Sequence, residues 1–327
     1  MNYVLGIDLG GSKIAVGCVS EDGTKVRGLV SEPTRSDLGP DGVVGRMVEA
    51  AERSMKLLQA EAPGSKVVGV GIGAPGPLDF HRGIVLLAPN LGWTDMPLRD
   101  RIADALGRPA ALDNDANCAA LGEWWQGAAK GTSHALAVTI GTGIGGGIIL
   151  NGKIYHGASD CAGELGHTTI DMDGRRCACG NYGCLEAYAS GPAIALRAQE
   201  ALSSGYESSL RARVGGDLSQ ITAQTVYDAA AEEDELALEV VRDTASYLGA
   251  GIANFLNIFN PQVVVVCGGV TAAGERLFGP MQREVARRAF RPAVEACRIV
   301  AGALPGSAGV IGAAKSYLDQ KSEGLVA

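Results

Sequence analysis

The chain has 327 residues, of which 46% are hydrophobic and 20% charged, and a net charge of −8. The length points to two domains or lobes, and the composition excludes a disordered chain. The acidic balance speaks against a nucleic-acid binder, which needs a basic patch, but not against a phosphate-handling enzyme. At the N-terminus no basic leader precedes the first acid, Asp8, and no apolar run reaches membrane-spanning length. The expected compartment is therefore the cytoplasm, where thiols stay reduced.

"YVLGIDLGGSKIAVGCV" reads as strand, glycine turn, strand, with Val4, Leu5, Ile7 and Leu9 in the first run and Ile14, Val16 and Val19 in the second. Backbone N–H groups at Gly10 and Gly11, the Ser12 hydroxyl and the Lys13 charge can hold phosphates. Asp8, beside them, is expected to hold a hydrated Mg2+. A third strand follows near Lys25 to Val30, then a helix over roughly 42–60 with Val44, Met47, Val48, Ala51, Met55 and Leu58 at helical spacing. "KVVGVGIGAPGPLD" is a buried strand entering a Gly/Pro loop. Asn90, in "APNLGW", is a candidate sugar contact, and Trp93 either stacks on a sugar or fills the core.

"MPLRDRIADALG" is a short helix, "PAALDND" a strand ending in carboxylates, and "ANCAALGEWWQGAAKG" a helix. Ligands of α/β sheets gather at such strand ends. Asp115 is then a general base taking a proton from a substrate hydroxyl that Asn114 orients, or a plain helix N-cap.

"HALAVTIGTGIGGGIILNGKI" repeats the first hairpin: an offset of 131 residues lays Leu5, Asp8, Gly10 and Ser12 over Leu136, Thr139, Gly141 and Gly143. This predicts a duplicated unit. Gly141, Gly143 and Gly146 also fit the dinucleotide motif G-x-G-x-x-G, but the residues that follow are β-branched and turn at Asn151-Gly152, so a hairpin and not a helix is expected. Thr142 adds a hydroxyl to this second phosphate loop.

Three of the eight cysteines fall within eight residues, Cys177, Cys179 and Cys184, downstream of His167. Three thiolates and one imidazole make a closed structural Zn2+ site, with Gly180 and Gly183 supplying bends. Glu164 and Glu186 flank this knuckle and suit sugar hydroxyls. Losing a ligand should weaken sugar binding first and ATP binding little, because the glycine hairpins lie elsewhere in the chain. Cys18, Cys118, Cys161, Cys267 and Cys297 read as small buried hydrophobes. Helices are expected from about Pro192, about Thr222, Leu236 to Phe259 and about Ala308 to Leu318. A buried strand, Val263 to Cys267, leads into Gly268-Gly269 and a helix, where adenosine could lie. The alternation of strands and helices makes the class α/β.

The motifs "GIDLGGSKI", "GAPGPLD", "LDNDANCAA", "IGTGIGGGI", "GELGH" and "CACGNYGCLEAYASG" resemble the ROK family (repressors and sugar kinases) over essentially the whole chain, its bacterial glucokinases most. The resemblance implies an actin-like ATPase (ribonuclease H-like) fold, with a duplicated βββαβαβα core. It implies a small lobe of residues 1–112 plus about 313–327, and a large lobe of 113–312 carrying the knuckle. It further implies ATP bound between the lobes and glucose as acceptor, with Asp115 the catalytic base and Asn114, Glu164, His167 and Glu186 on the sugar. His167 would give one nitrogen to zinc and one to sugar. A homodimer or homotetramer is implied, with no nucleic-acid or membrane partner. Ser12 stands where threonine is commoner in the family. The family's repressors begin with a DNA-binding helix-turn-helix; here the first strand begins by Tyr3, so that module is expected to be absent. Kinases for N-acetylmannosamine, N-acetylglucosamine or fructose, and a non-catalytic sugar sensor, stay open as alternatives.

Overall fold

The computed structural model describes residues 1–326. The chain forms two compact units: Met1–Ala137 with Gly147–Gly163 and the chain from Ala303 on, and Val138–Gly146 with Glu164–Gly302. The first unit opens with β1 (Asn2–Leu9), β2 (Lys13–Ser20), β3 (Val26–Pro33), α1 (Gly39–Glu61) and β4 (Lys66–Ala74). The short strands β5 (Leu78–Asp79), β6 (Ile84–Ala88) and β7 (Trp93–Met96) follow, then α2 (Leu98–Leu106), β8 (Ala110–Asn114) and α3 (Asp115–Gln126). Next come β9 (Ala135–Ile140), β10 (Ile144–Leu150) and β11 (Lys153–Ile154). The second unit holds α4 (Glu186–Ala189), α5 (Gly191–Ser203), α6 (Leu210–Arg213), α7 (Ala223–Ala231), α8 (Glu235–Phe259), β12 (Val263–Cys267), α9 (Glu275–Arg288), α10 (Arg291–Ala296) and β13 (Arg298–Ala301). α11 (Ala308–Ser322) belongs to the first unit.

Two five-stranded sheets have matching orders, β3-β2-β1-β4-β8 and β11-β10-β9-β12-β13. The duplication is visible in register as well: β2 begins at Lys13 and β10 at Ile144, 131 residues apart (144 minus 13). β10 follows Gly143 directly, so the G-x-G-x-x-G glycines open no helix. The class and fold are those expected: α/β, built as an actin-like ATPase.

β1 is central because both of its faces are apolar. Leu5, Ile7 and Leu9 join Met47, Ala51 and Leu58 of α1 in one core, while Val4 packs with Val310, Ala314 and Tyr317 of α11 in another. Period-two alternation thus sends odd positions to one helix and even positions to the other. On the α11 side the helix lies against bare backbone. A Cβ on Gly6 would overlap the Val310 carbonyl, one on Gly71 the Ala313 carbonyl, and one on Gly69 the Tyr317 ring.

The division expected at residue 113 differs from the observed units: β8 and α3 fall in the first unit, because β8 pairs with β4 and α3 packs along α11. Trp93 is 1% exposed, so it fills the core and stacks on nothing. Cys18 and Cys118 are buried as expected, but Cys161 is exposed and Cys267 and Cys297 are only partly covered. Cys161 lies in a turn, its thiol donating to the Ser159 carbonyl, and Cys297 precedes the half-open strand β13. No helix among the described residues is long and apolar enough to cross a membrane.

Candidate active site and metal knuckle

In the first unit the site grows from the carboxyl ends of β1, β4 and β8. Asp8 is paired in register with Gly73, and Gly73 with Asp113. A Cβ on Gly73 would lie 3.0 Å from Cys118 Sγ and 3.2 Å from its Cβ, so the missing side chain lets α3 pack close to the sheet. Burial pushes the Asp8 carboxyl up to about 7, the Asp115 charge pushes the same way, and Lys13 opposes both. The hairpin loop is closed by Gly10 N–H donating to the Lys13 carbonyl at 2.9 Å and held by Thr34 Oγ1 donating to the Gly10 carbonyl at 2.7 Å. Neither Gly10 nor Gly11 has a positive φ. A Cβ on Gly11 would sit 3.7 Å from Asn90 Nδ2, an ordinary contact that places this turn beside Asn90. Ser12 and Lys13 are exposed.

At the end of β8 the N-cap is Asn114 and not Asp115. Its Oδ1 accepts from Ala116 N–H at 2.9 Å and Asn117 N–H at 3.2 Å, and Asp115 is the first helical residue. An asparagine in extended backbone, φ −70 and ψ 145, is well suited to this. Capping engages the Asn114 oxygen and leaves its amide group, which reaches the Gly76 carbonyl at 3.4 Å. Asp113, 1% exposed, is the anchor beneath the turn. Its Oδ1 accepts from Asn114 N–H at 2.8 Å and Asn117 Nδ2 at 3.1 Å, and its Oδ2 from Ser316 Oγ at 2.9 Å.

In the second unit Gly141, Thr142 and Gly269 border a cavity of about 410 Å3. Gly268 has φ 111, and a Cβ on it would overlap the Ile140 carbonyl, so only glycine fits there. A short 3-10 turn, Gly269–Ala273, intervenes before the helix expected at this point. The cavity adds residues that the sequence did not assign to a site: Gly191, Pro192, Thr222, Gln224 and Tyr227, of which Pro192 and Thr222 were expected only as helix starts. The Tyr227 hydroxyl is buried without a partner, and burial pushes its pKa up. Gly191 N–H donates to the Gly141 carbonyl at 2.9 Å. The "SGP" at 190–192 was the available signal, a cap residue followed by Gly and Pro at a helix start.

The knuckle brings its four expected ligands together. One atom each of His167, Cys177, Cys179 and Cys184 lies within 4.8 Å of all the others. Tetrahedral Zn2+ with its usual bond lengths would separate two sulfurs by about 3.8 Å and a sulfur from a nitrogen by about 3.6 Å. The observed Cys179–Cys184 and Cys177–His167 Nδ1 separations are both 3.7 Å, so the residues fit that ion. His167 Nδ1 faces the thiols, and Nε2 faces Glu164 Oε2 at 3.9 Å. Gly180 and Gly183 take φ values of 95 and 70, the bends a compact loop requires. Burial pushes the Cys177 thiol up to about 12 and raises Cys184 as well, whereas the backbone N–H of Asn181 lowers Cys179.

Glu164 is exposed, and Glu186 is half-buried at the start of α4. Glu186 Oε2 accepts from Ile144 N–H at 2.8 Å, and Oε1 lies 3.7 Å from Cys177 Sγ. The expected separation of knuckle and second glycine hairpin is therefore incorrect. They are far apart in sequence, but one carboxylate bridges them.

The ROK family model matches residues 4–320. A glucokinase of Thermotoga maritima is 38% identical over 312 residues, covering 95% of this chain and 96% of that one. A xylose repressor of Bacillus subtilis is 32% identical over 255 residues, covering 77% of this chain and 62% of that one. Among solved structures, a ROK family glucokinase from Streptomyces griseus in complex with glucose and AMPPNP superposes with a TM-score of 0.84 at 35% identity, covering 96% of this chain and 98% of that one.

Proposed function

The chain belongs to the ROK family, and from that premise we propose that it transfers the γ-phosphoryl group of ATP to O6 of D-glucose, giving glucose 6-phosphate and ADP. The observation that carries this reading is the pair Asp8 and Asp115, close enough for the charge of one to raise the pKa of the other. Phosphoryl transfer rests on positioning and charge stabilisation, and two carboxylates with different neighbours can divide the work. Asp115 accepts the proton that O6 loses. Asp8, its pKa raised by burial and by the Asp115 charge, gains from a cation, and Mg2+ held there would offset charge on the phosphates. Gly10, Gly11, Ser12 and Lys13, with Gly141, Thr142 and Gly143, offer N–H groups, hydroxyls and one charge to those phosphates. The cavity beside Gly268 and Gly269 has the volume and the apolar walls that adenosine needs.

Asn90, Asn114, Glu164, His167 and Glu186 are assigned to sugar hydroxyls. Zn2+ in the knuckle would be structural, because four protein ligands leave no place for water. A cytoplasmic location and a homodimer or homotetramer complete the proposal. The names of its relatives, glucokinases at 37–38% identity, support glucose over other hexoses. Xylose repressors at 32–38% identity support a second reading, a sugar sensor without catalysis. The test is ATP consumption against a panel of hexoses and N-acetylhexosamines. Glucose should have the highest kcat/KM. A higher value with N-acetylmannosamine would end the glucose assignment, and no turnover with any sugar would favour the sensor.

A further inference from the structure

The reaction above gives His156 no part, yet this side chain is wedged beneath the proposed base. We propose that His156 is a positioning residue for the transfer: by gripping Asp113 it fixes the turn that presents Asn114 and Asp115. The inference rests on the kinase reading for its effect on rate, but the grip itself is a matter of geometry.

His156 Nε2 lies 3.2 Å from Asp113 Oδ1 and 3.1 Å from Oδ2, so it straddles the carboxylate. A lone pair on Nε2 would face two oxygens, so this nitrogen carries the proton and donates. The same carboxylate holds Asn114 N–H and Asn117 Nδ2, and Asn114 Oδ1 in turn holds the first N–H groups of α3. Rotation of the Asp113 carboxylate would move each of these partners. Ser316 alone would then oppose it from the Oδ2 side. The imidazole is itself fixed on a second side: its ring packs on Phe80 with centroids 4.5 Å apart, and Phe80 N–H donates to Asp160 Oδ2 at 3.2 Å. Phe80 opens the turn after β5, and the Gly/Pro loop before β5 offers the Gly76 carbonyl that receives the Asn114 amide. One ring thus ties together three segments, the turn after β5, the turn after β8 and the loop after β11, at the place where Asp115 is aimed. The convergence on the residue two positions before the base is what assigns the role.

The experiment uses the full chain and measures kcat and both KM values for wild type, His156→Ala, His156→Gln, Asp113→Asn and the double variant Asp113→Asn/His156→Ala, with thermal melting as a check on folding. Misplacing a reacting group by a fraction of an ångström costs about tenfold or more. His156→Ala is expected to lower kcat by about that factor while both KM values stay within about threefold. Glutamine keeps a donor near the Nε2 position, so His156→Gln should recover most of kcat. In the double variant the second change should add little, because both act through one carboxylate. Multiplicative losses, no recovery by glutamine, or a loss lying wholly in KM would each overturn the proposal. If wild type phosphorylates no sugar, the kinase reading fails by itself. The grip is then read from amide hydrogen exchange at Asn114, Ala116 and Asn117: faster in His156→Ala if the proposal holds, unchanged if it does not.

Discussion

The turn at Asp113–Asn117 and the loop from His167 to Cys184 are both short, polar and rich in acceptors, yet they are ordered by opposite means. In the turn the Asp113 carboxylate meets donors from the chain itself, serving Asn114, Asn117, His156 and Ser316. In the loop the polar atoms converge on one another, and burial keeps protons on Cys177 and Cys184. Four ligand atoms turned inward without a cation gain almost nothing from their arrangement. Side chains hold the turn, whereas in the loop the backbone supplies the bonds, Cys177 N–H donating to the Asn181 carbonyl and Gly183 N–H to the Arg175 carbonyl, and the proposed Zn2+ would add to them.

The largest effect expected from this contrast is chemical. Asp115→Asn should lower kcat by at least ~10²-fold with glucose affinity little changed, the range for loss of a general base. It should leave the melting temperature near wild type, since the cap belongs to Asn114; a coupled assay and a melting curve check both halves. Next comes the metal. Elemental analysis should find one Zn2+ per chain in wild type and none in Cys179→Ser, and the variant should bind glucose at least about tenfold more weakly, because each loop residue that must be re-ordered costs about 1–2 kcal/mol. Because Glu186 bridges Cys177 and Ile144, nucleotide affinity should fall too; titration of both ligands would show whether it does. A smaller loss is expected from Asn114→Ala, which removes the cap at about 1 kcal/mol and lowers the melting temperature by a few degrees. The smallest effects concern pH, and here the two regions should diverge in sign. Burial lowers the His156 pKa, but the Asp113 hydrogen bond and charge, with Asp160 and Glu323, raise it above 6.5 overall. Its contribution to stability is complete below that value and fades as pH rises through the folded pKa. Metal binding at the knuckle releases thiol protons, so its contribution should grow as pH rises. Melting curves between about pH 5.5 and 8.5, with and without a chelator, separate the two slopes.

How far the sequence disclosed this depended on whether the deciding partner was local. The hairpins were readable because alternation and glycine turns are written within twenty residues, and the 131-residue offset then exposed the second copy. The knuckle was readable because Cys177, Cys179 and Cys184 are crowded together and their chemistry is specific. The cap was assigned to Asp115 or to neither because Asn114 and Asp115 are both good capping residues, and only the backbone angle decides. His156 escaped notice because its partner is 43 residues away. Glu186 was placed on the sugar, and its bond to Ile144, 42 residues distant, had no signature at all. Cys161 was misjudged since a small residue among small residues looks buried when the turn around it cannot be seen.

The glycines under α11 carry a consequence for how the protein is made. Val4, Ala15 and Val19 form one face of the first sheet, and the residues that cover it, Val310, Ile311, Ala314 and Tyr317, are the last to be added. Gly6 waits for Val310, 304 positions later (310 minus 6). At about 5–20 residues per second, a ribosome takes roughly 15 to 60 s to supply that helix. The sheet itself is complete in sequence only at β8, and from Asn114 to Ala308 the chain holds that face without the helix that covers it. A variant truncated before Ala308 would lack the helix that covers this face.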